Sequence, residues 1–139
     1  MKVDVAARIS DIEAAEWNRL AGQEFPFLRH EFLCAAESTG CVSKATGWSP
    51  RHIMVRDQGG KLAGAMPLYE KTHSWGEFVF DWSWAQAYHR AGIPYYPKLV
   101  SAVPFTPATS PRLLLSDGNE ECAELLVETA LDLAKTSSC

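Results

Sequence analysis

Asp81, His89 and Lys98 combine reactive side chains with an unusual neighbourhood. Eight of the fifteen aromatic residues fall between Trp75 and Tyr96, and these three polar residues stand in or beside that block. Rings at such density, with Phe80, Trp82, Trp84, Tyr95 and Tyr96 foremost, can line a groove that packs on a sugar or a peptide. Asp81 and Lys98 would fix the polar ends of that ligand. Asp81 and His89 are the candidate catalytic residues. As a general base Asp81 needs a pKa raised toward the working pH. Each feature also has a plainer reading. The aromatic block can be core or a buried domain interface, Asp81 a helix cap, and Lys98 a solvated strand lysine.

Other chemistries find little footing. His30, His52, His73 and His89 share no H-x-H or i, i+4 spacing, and Cys34, Cys41, Cys122 and Cys139 form no C-x-x-C pair. No metal site is therefore expected, and the cysteines read as free thiols. Ser83 lies between two tryptophans but in no G-x-S-x-G elbow, so hydrolase chemistry is unsupported. Gly59-Gly60 reads as a hairpin turn, not a phosphate loop.

The elements that must position the aromatic block follow from local pattern. Val3 to Ile9 alternates as a strand. Ser10 and Glu13 fit a capping box for a helix running to Leu20 and stopped by Gly22. After Pro26 a second helix is expected over Leu28 to Ser38, closed by Gly40. Cys41 to Pro50 reads as loop. His52 to Asp57 and Leu62 to Tyr69 form a hairpin, with Pro67 marking an edge or a bulge. Glu77 to Asp81 is expected as a short strand and Trp82 to Ala91 as a helix, capped by Asp81 and stopped by Gly92. Tyr95 to Val103 reads as a strand and the stretch after Pro104 as loop. Cys122, Leu125, Leu126, Thr129, Ala130 and Leu133 recur on one face of a final helix.

Length and composition bound the rest. At 139 residues the chain suits one domain. Hydrophobic residues make up 47% and charged residues 22%, as in ordinary globular proteins. The net charge of −4 argues against DNA as a partner. Asp4 and Arg8 interrupt any signal-peptide pattern, and no apolar run is long enough to span a bilayer, so a cytoplasmic location is expected. Strands mixed with helices on a chain this short imply an α/β or α+β sheet domain over residues 1–139.

Several unusual strings occur together in one order. They are Pro26-Phe27-Leu28-Arg29-His30-Glu31-Phe32-Leu33, Gly47-Trp48-Ser49-Pro50-Arg51-His52, Pro67-Leu68-Tyr69, the block Gly76 to Trp84, Tyr95-Tyr96-Pro97-Lys98-Leu99 and Val103-Pro104-Phe105-Thr106-Pro107. In these strings the chain resembles a bacterial FemAB-like family of the GNAT acyltransferase superfamily. The resemblance implies a GNAT-like mixed sheet with flanking helices, of which this chain is the N-terminal half. It implies acyl or aminoacyl transfer to an amine acceptor, related to peptidoglycan, with acyl-CoA or aminoacyl-tRNA as donor. The donor turn would fall near Ser116-Asp117-Gly118-Asn119. One glycine and three carboxylates (Asp117, Glu120 and Glu121) suit a pyrophosphate poorly there. The chain is thus expected to supply the acceptor side, holding no cofactor itself and inactive alone. A C-terminal half or a partner chain would bring the donor site. The alternative is a non-catalytic binding or interaction module, with a small molecule or peptide in the aromatic groove or with self-association.

Overall fold

The computed structural model of the chain describes residues 1–116 and 118–139. The first strand, β1 (Lys2–Ala6), is shorter than its alternation suggests, because Ile9–Asp11 winds into a 3₁₀ turn that buries Ile9 completely. The expected capping box does not form. Ser10 is held inside that turn, Ile12 is extended and buried, and α1 (Ala14–Ala21) begins with Glu13 at its cap, without a side-chain cap bond. Gly22 ends α1 as expected, at φ 69°. Pro26–Leu28 forms a separate 3₁₀ turn and Arg29 is extended, so α2 (His30–Ser38) starts at His30 rather than Leu28.

The loop expected over Cys41 to Pro50 holds a 3₁₀ turn, Lys44–Thr46, and a short strand, β2 (Trp48–Pro50). The hairpin of β3 (His52–Arg56) and β4 (Leu62–Met66) closes as expected. Gly60 takes φ 82°, and the Asp57 carboxylate accepts from the Lys61 amide at 3.0 Å. Pro67 then divides the returning strand, and β5 (Tyr69–Lys71) joins a second sheet. No strand forms over Glu77 to Asp81, since Phe78 and Phe80 sit at φ 59° and 56°, outside any strand conformation. The helix that follows is α3 (Trp82–Arg90), and Gly92 stops it at φ 70°. The strand expected over Tyr95 to Val103 is confined to β6 (Lys98–Val100). Leu114–Leu115, within the stretch read as loop, forms β7 against Gly64 and Ala65 of β4. The chain ends in α4 (Glu120–Thr136).

The fold is α+β. One sheet has the order β1-β3-β4-β7 and the other β2-β5-β6, and every recorded pair is antiparallel. The two sheets share one bent ribbon. β2 runs into β3 through Arg51, β4 runs into β5 through Pro67 and Leu68, and the Arg51 amide donates to the Leu68 carbonyl at 2.8 Å across the joint.

Both faces of the four-stranded sheet are covered, which is why Ile53, Met54 and Val55 are all buried without alternation. Trp17, Leu28 and Leu33, from α1, α2 and the turn between them, pack with Met54, Leu62 and Ala65 on one side. Cys122 and Leu126 of α4 pack with Ile53, Val55, Ala63 and Met66 on the other. A Cβ at Gly64 would stand 3.2 Å from the Cys122 Cβ, so the glycine lets α4 lie close. Each buried leucine contributes about 2 kcal/mol. Polar ties fix the layers. The Trp17 indole donates to the Leu28 carbonyl at 2.8 Å, and Glu16 accepts from Arg56 at 2.8 Å and from the Leu62 amide at 3.1 Å. Among the described residues no helix is long and apolar enough to cross a membrane.

Candidate functional site

The three-stranded sheet places two lysines side by side. In the β5–β6 register Lys71 is the Cα partner of Lys98. Like charges directly opposite each other destabilise a sheet unless anions intervene. Two do. After β5 the chain loops through Ser74 to Phe80, returning Glu77 and Asp81 over the lysine pair. Lys98 Nζ donates to Glu77 Oε2 at 2.8 Å, to Asp81 Oδ2 at 2.5 Å and to Ser74 Oγ at 3.0 Å. Lys71 Nζ lies 3.9 Å from Glu77 Oε1, donates to the Trp75 carbonyl at 2.8 Å, and sits 3.7 Å above the Trp48 ring. Its side chain is wholly buried. Phenols close the network. Tyr95 donates to Asp81 Oδ2 at 2.6 Å, and the Tyr96 and Ser74 hydroxyls are 2.6 Å apart.

Aromatic packing shapes the loop. A Cβ at Gly76 would stand 2.6 Å from the Phe105 ring, and Gly76 takes φ 81°, so only glycine fits between that ring and the turn. The Phe105 amide donates back to the Gly76 carbonyl at 3.0 Å.

This arrangement sets the charges. Burial alone would raise the pKa of Asp81, but the hydrogen bonds from Lys98 and Tyr95 outweigh it and hold the group at about 2. The bond to Asp81, with burial, pushes Tyr95 up to about 12. Burial pulls Lys98 down, yet its carboxylate partners leave it above its ordinary value. Lys71 is brought down to about 8, chiefly by burial. At neutral pH the cluster is a set of fixed charges, suited to holding and orienting a ligand. Two buried carboxylate oxygens, Glu77 Oε1 and Asp81 Oδ1, accept no hydrogen bond.

The structure brings four of the expected site residues, Asp81, Tyr95, Tyr96 and Lys98, into one network. Asp81 does stand at the first position before α3, but its side chain makes no cap bond, because Lys98 and Tyr95 occupy it. The cap reading is thus replaced, and so is the solvated lysine, since the Lys98 side chain is only 17% exposed. Trp82 packs on Trp75 at 5.0 Å between ring centres. Trp82, Ala85, His89 and Tyr96 line a depression of about 430 Å³ against α3. Phe80 and Trp84, 76% and 65% exposed, stand outside the network. The aromatic block is therefore surface rather than core: α3 buries none of its residues.

Lys71, Ser74 and Glu77 were missed in sequence. Their signal was weak. Lys71 looks like any strand lysine until the register sets it beside Lys98. His52, by contrast, is structural. Its Nε2 pairs with Glu37 Oε1 at 2.8 Å, and Glu37 Oε2 accepts from the Ile9 amide at 2.8 Å. His30 Nε2 lies 2.9 Å from the Ile9 carbonyl.

At the expected donor turn, Asp117 lies outside the described residues. The N-terminus of α4 is taken by Asn119, whose side chain accepts from the Cys122 amide at 3.1 Å, with Glu120 and Glu121 in the first turn. Among the described residues no group of three His, Cys, Asp or Glu side chains is arranged to hold a metal ion.

A family model named FemAB-like and described as peptidoglycan biosynthesis/recognition matches residues 8–139. No curated protein and no solved structure matches the chain.

Proposed function

The chain belongs to the FemAB-like family of peptidoglycan biosynthesis and recognition, and we propose that it supplies the acceptor side of an acyl or aminoacyl transferase. In this reading the amine acceptor is a cell-wall sugar-peptide fragment. The Trp82 ring packs on its flat face in the depression, Tyr95 and Tyr96 border it, and Phe80 and Trp84, exposed beyond the depression, meet the outer parts of a longer fragment. Asp81 and Lys98 orient its polar groups. The observation that carries this reading is that the charged Asp81–Lys98 pair is joined through the Ser74 and Tyr96 hydroxyls to the depression that Tyr96, Trp82 and His89 line. The donor, acyl-CoA or aminoacyl-tRNA, is a cytoplasmic molecule and would be held by another polypeptide segment or a partner chain. His89, on the wall of the depression, is the candidate proton carrier. Asp81, held at about 2, serves as a fixed anion.

One observation favours a second reading, a binding module without chemistry: the network is built of fixed charges, and its one group held near 8, Lys71, is sealed from solvent. Titration with a panel of muropeptides, followed by tryptophan fluorescence, tests what the readings share. Saturable quenching, lost in Lys98→Met and Trp82→Ala, is expected; no response across the panel would sink both. Transfer separates them. The acceptor-side reading expects residues 1–139 to bind muropeptide without binding acyl-CoA, and to support transfer only with a donor-binding polypeptide. Tight acyl-CoA binding by these residues alone would contradict it.

A further inference from the structure

We propose that the cleft between the loop of residues 77–79, the end of β6 and residues 106–112 binds the free C-terminal carboxylate of a short peptide, with Arg112 as its counter-ion. The cleft shares Glu77 with the lysine network but no residue with the depression along α3. The proposal therefore does not rest on the acceptor-groove reading.

The cleft holds about 270 Å³. Sites for drug-sized ligands run from ~300 Å³ upward, so its occupant is one end of a chain rather than a nucleotide. Main chain forms much of its wall. The amides of Phe78, Val79, Ala102, Thr106 and Ala108, all residues of that lining, donate to no carbonyl among the described residues. Phe78 takes φ 59°, and Phe80 and Phe105, each next to a lining residue, take 56°. With Ser138 near the chain end, these are the described non-glycine residues at positive φ. Strained backbone of this kind gathers at ligand sites, and left-handed residues let successive N–H groups form a concavity for an anion.

Charge selects the ligand. Residues 82–116 include no Asp or Glu, so Arg112 has no acidic neighbour in its own segment. Its Nη1 donates to Ser110 Oγ at 2.6 Å, which fixes the guanidinium plane. Among the described residues it makes no ion pair. A solvated surface arginine would stand clear of the cleft, whereas Arg112 is half-buried in its wall. One carboxylate does line the cleft, that of Glu77, but Lys98 donates to it at 2.8 Å and Lys71 stands 3.9 Å from it. Counted with Asp81, the network balances two anions against two cations, and Arg112 is the charge left over. One guanidinium matches one carboxylate through a fork of two hydrogen bonds. A phosphate dianion would keep an unmatched charge beside Glu77. Uncommitted amides on separate segments suit a ligand that also carries carbonyls, as a peptide does.

Titration of the ¹⁵N-labelled full chain with trialanine and with trialanine amide, from roughly 10 µM to roughly 10 mM, tests this through amide chemical shifts. The expected result is saturable movement of the Phe78, Val79 and Ala102 signals by trialanine, with the amide weaker by about tenfold or more. Arg112→Gln removes the counter-ion. Ala108→Asp leaves Arg112 in place and sets a carboxylate at the cleft. Each variant, checked for folding by circular dichroism, should weaken trialanine by about tenfold or more. Equal binding of trialanine and its amide, no saturable movement, or movement confined to α3 overturns the proposal. Inorganic phosphate that moves the same signals as tightly as trialanine overturns the peptide assignment. Muropeptide that quenches tryptophan while trialanine moves nothing removes this cleft and keeps the acceptor groove.

Discussion

Replacing Lys98 by methionine keeps the length of the side chain and removes the one cation that touches both Glu77 and Asp81. The cost can be worked from the geometry. Lys98, with Tyr95 and Ser74, holds Asp81 at about 2 against an ordinary 3.8, which at ~1.4 kcal/mol per pKa unit is about 2 kcal/mol shared among the three. Glu77, with its side chain 2% exposed, loses its 2.8 Å partner as well. Breaking a buried ion pair from one side costs about 3–5 kcal/mol, so a loss of about 3–4 kcal/mol is expected near pH 7. Domain stabilities are on the order of 5–15 kcal/mol, which leaves the variant folded enough to measure. The pH dependence carries the sign. In the wild type the folded pKa of Asp81 is depressed, so its contribution is complete above 3.8 and is lost as pH falls through about 2. Without Lys98, burial acts on Asp81 against the Tyr95 and Ser74 hydrogen bonds alone, its folded pKa rises, and protonation relieves the variant. Urea unfolding followed by tryptophan fluorescence should therefore show the gap between wild type and Lys98→Met narrowing as pH falls from about 7 to about 5. A gap under about 1 kcal/mol near pH 7, or one that stays constant on acidification, would refute the network as described.

Lys71 should titrate in ¹³C-ε NMR spectra with a midpoint near the 8 that its burial sets, well below 10.5. Because the unfolded chain binds that proton more tightly, stability should rise with pH between those two values. A lysine signal moving only near 10.5 would show Lys71 to be solvated. Gly76→Ala should cost about 2–3 kcal/mol, part from a left-handed φ and part from the crowded Phe105 ring. Thermal unfolding measures it, and Gly76→Ala combined with Phe105→Leu should recover the crowding share. No recovery would place the whole cost in the backbone.

Much of the frame was legible because its signals are local. Gly22, Gly60 and Gly92 stop or turn the chain where glycine supplies φ of 69°, 82° and 70°. The α4 face reads from spacing alone, because helical periodicity does not depend on what packs against it. The failures came where a neighbour far in sequence decides. Ser10 looked like a cap until the burial of Ile9 and Ile12 drew it into a 3₁₀ turn. Phe78 and Phe80 kept a strand-like period, yet both adopt left-handed φ because Glu77 and Asp81 are drawn toward Lys98, seventeen and more residues away. Four expected site residues converged, but Lys71 and Glu77 became visible only through the pairing of β5 with β6.

That pairing also explains why the site segment needs no regular structure. Residues 72–81 form neither helix nor strand, so few backbone hydrogen bonds hold them. What fixes them is the requirement that two adjacent lysines be neutralised within a buried sheet: Glu77 reaches both, Asp81 reaches one, and the intervening Trp75 carbonyl takes the third contact. The same loop carries Trp75, Phe78 and Phe80 to the surface. Its order is therefore conditional on charge, and the aromatic surface should lose its arrangement before the four-stranded sheet unfolds. Native-state hydrogen exchange can separate the two. In Lys98→Met the amides of residues 74–81 should exchange at least tenfold faster while those of β3 and β4 fall only with global stability. Uniform acceleration across both regions would show that the loop is held by the core and not by the lysine pair.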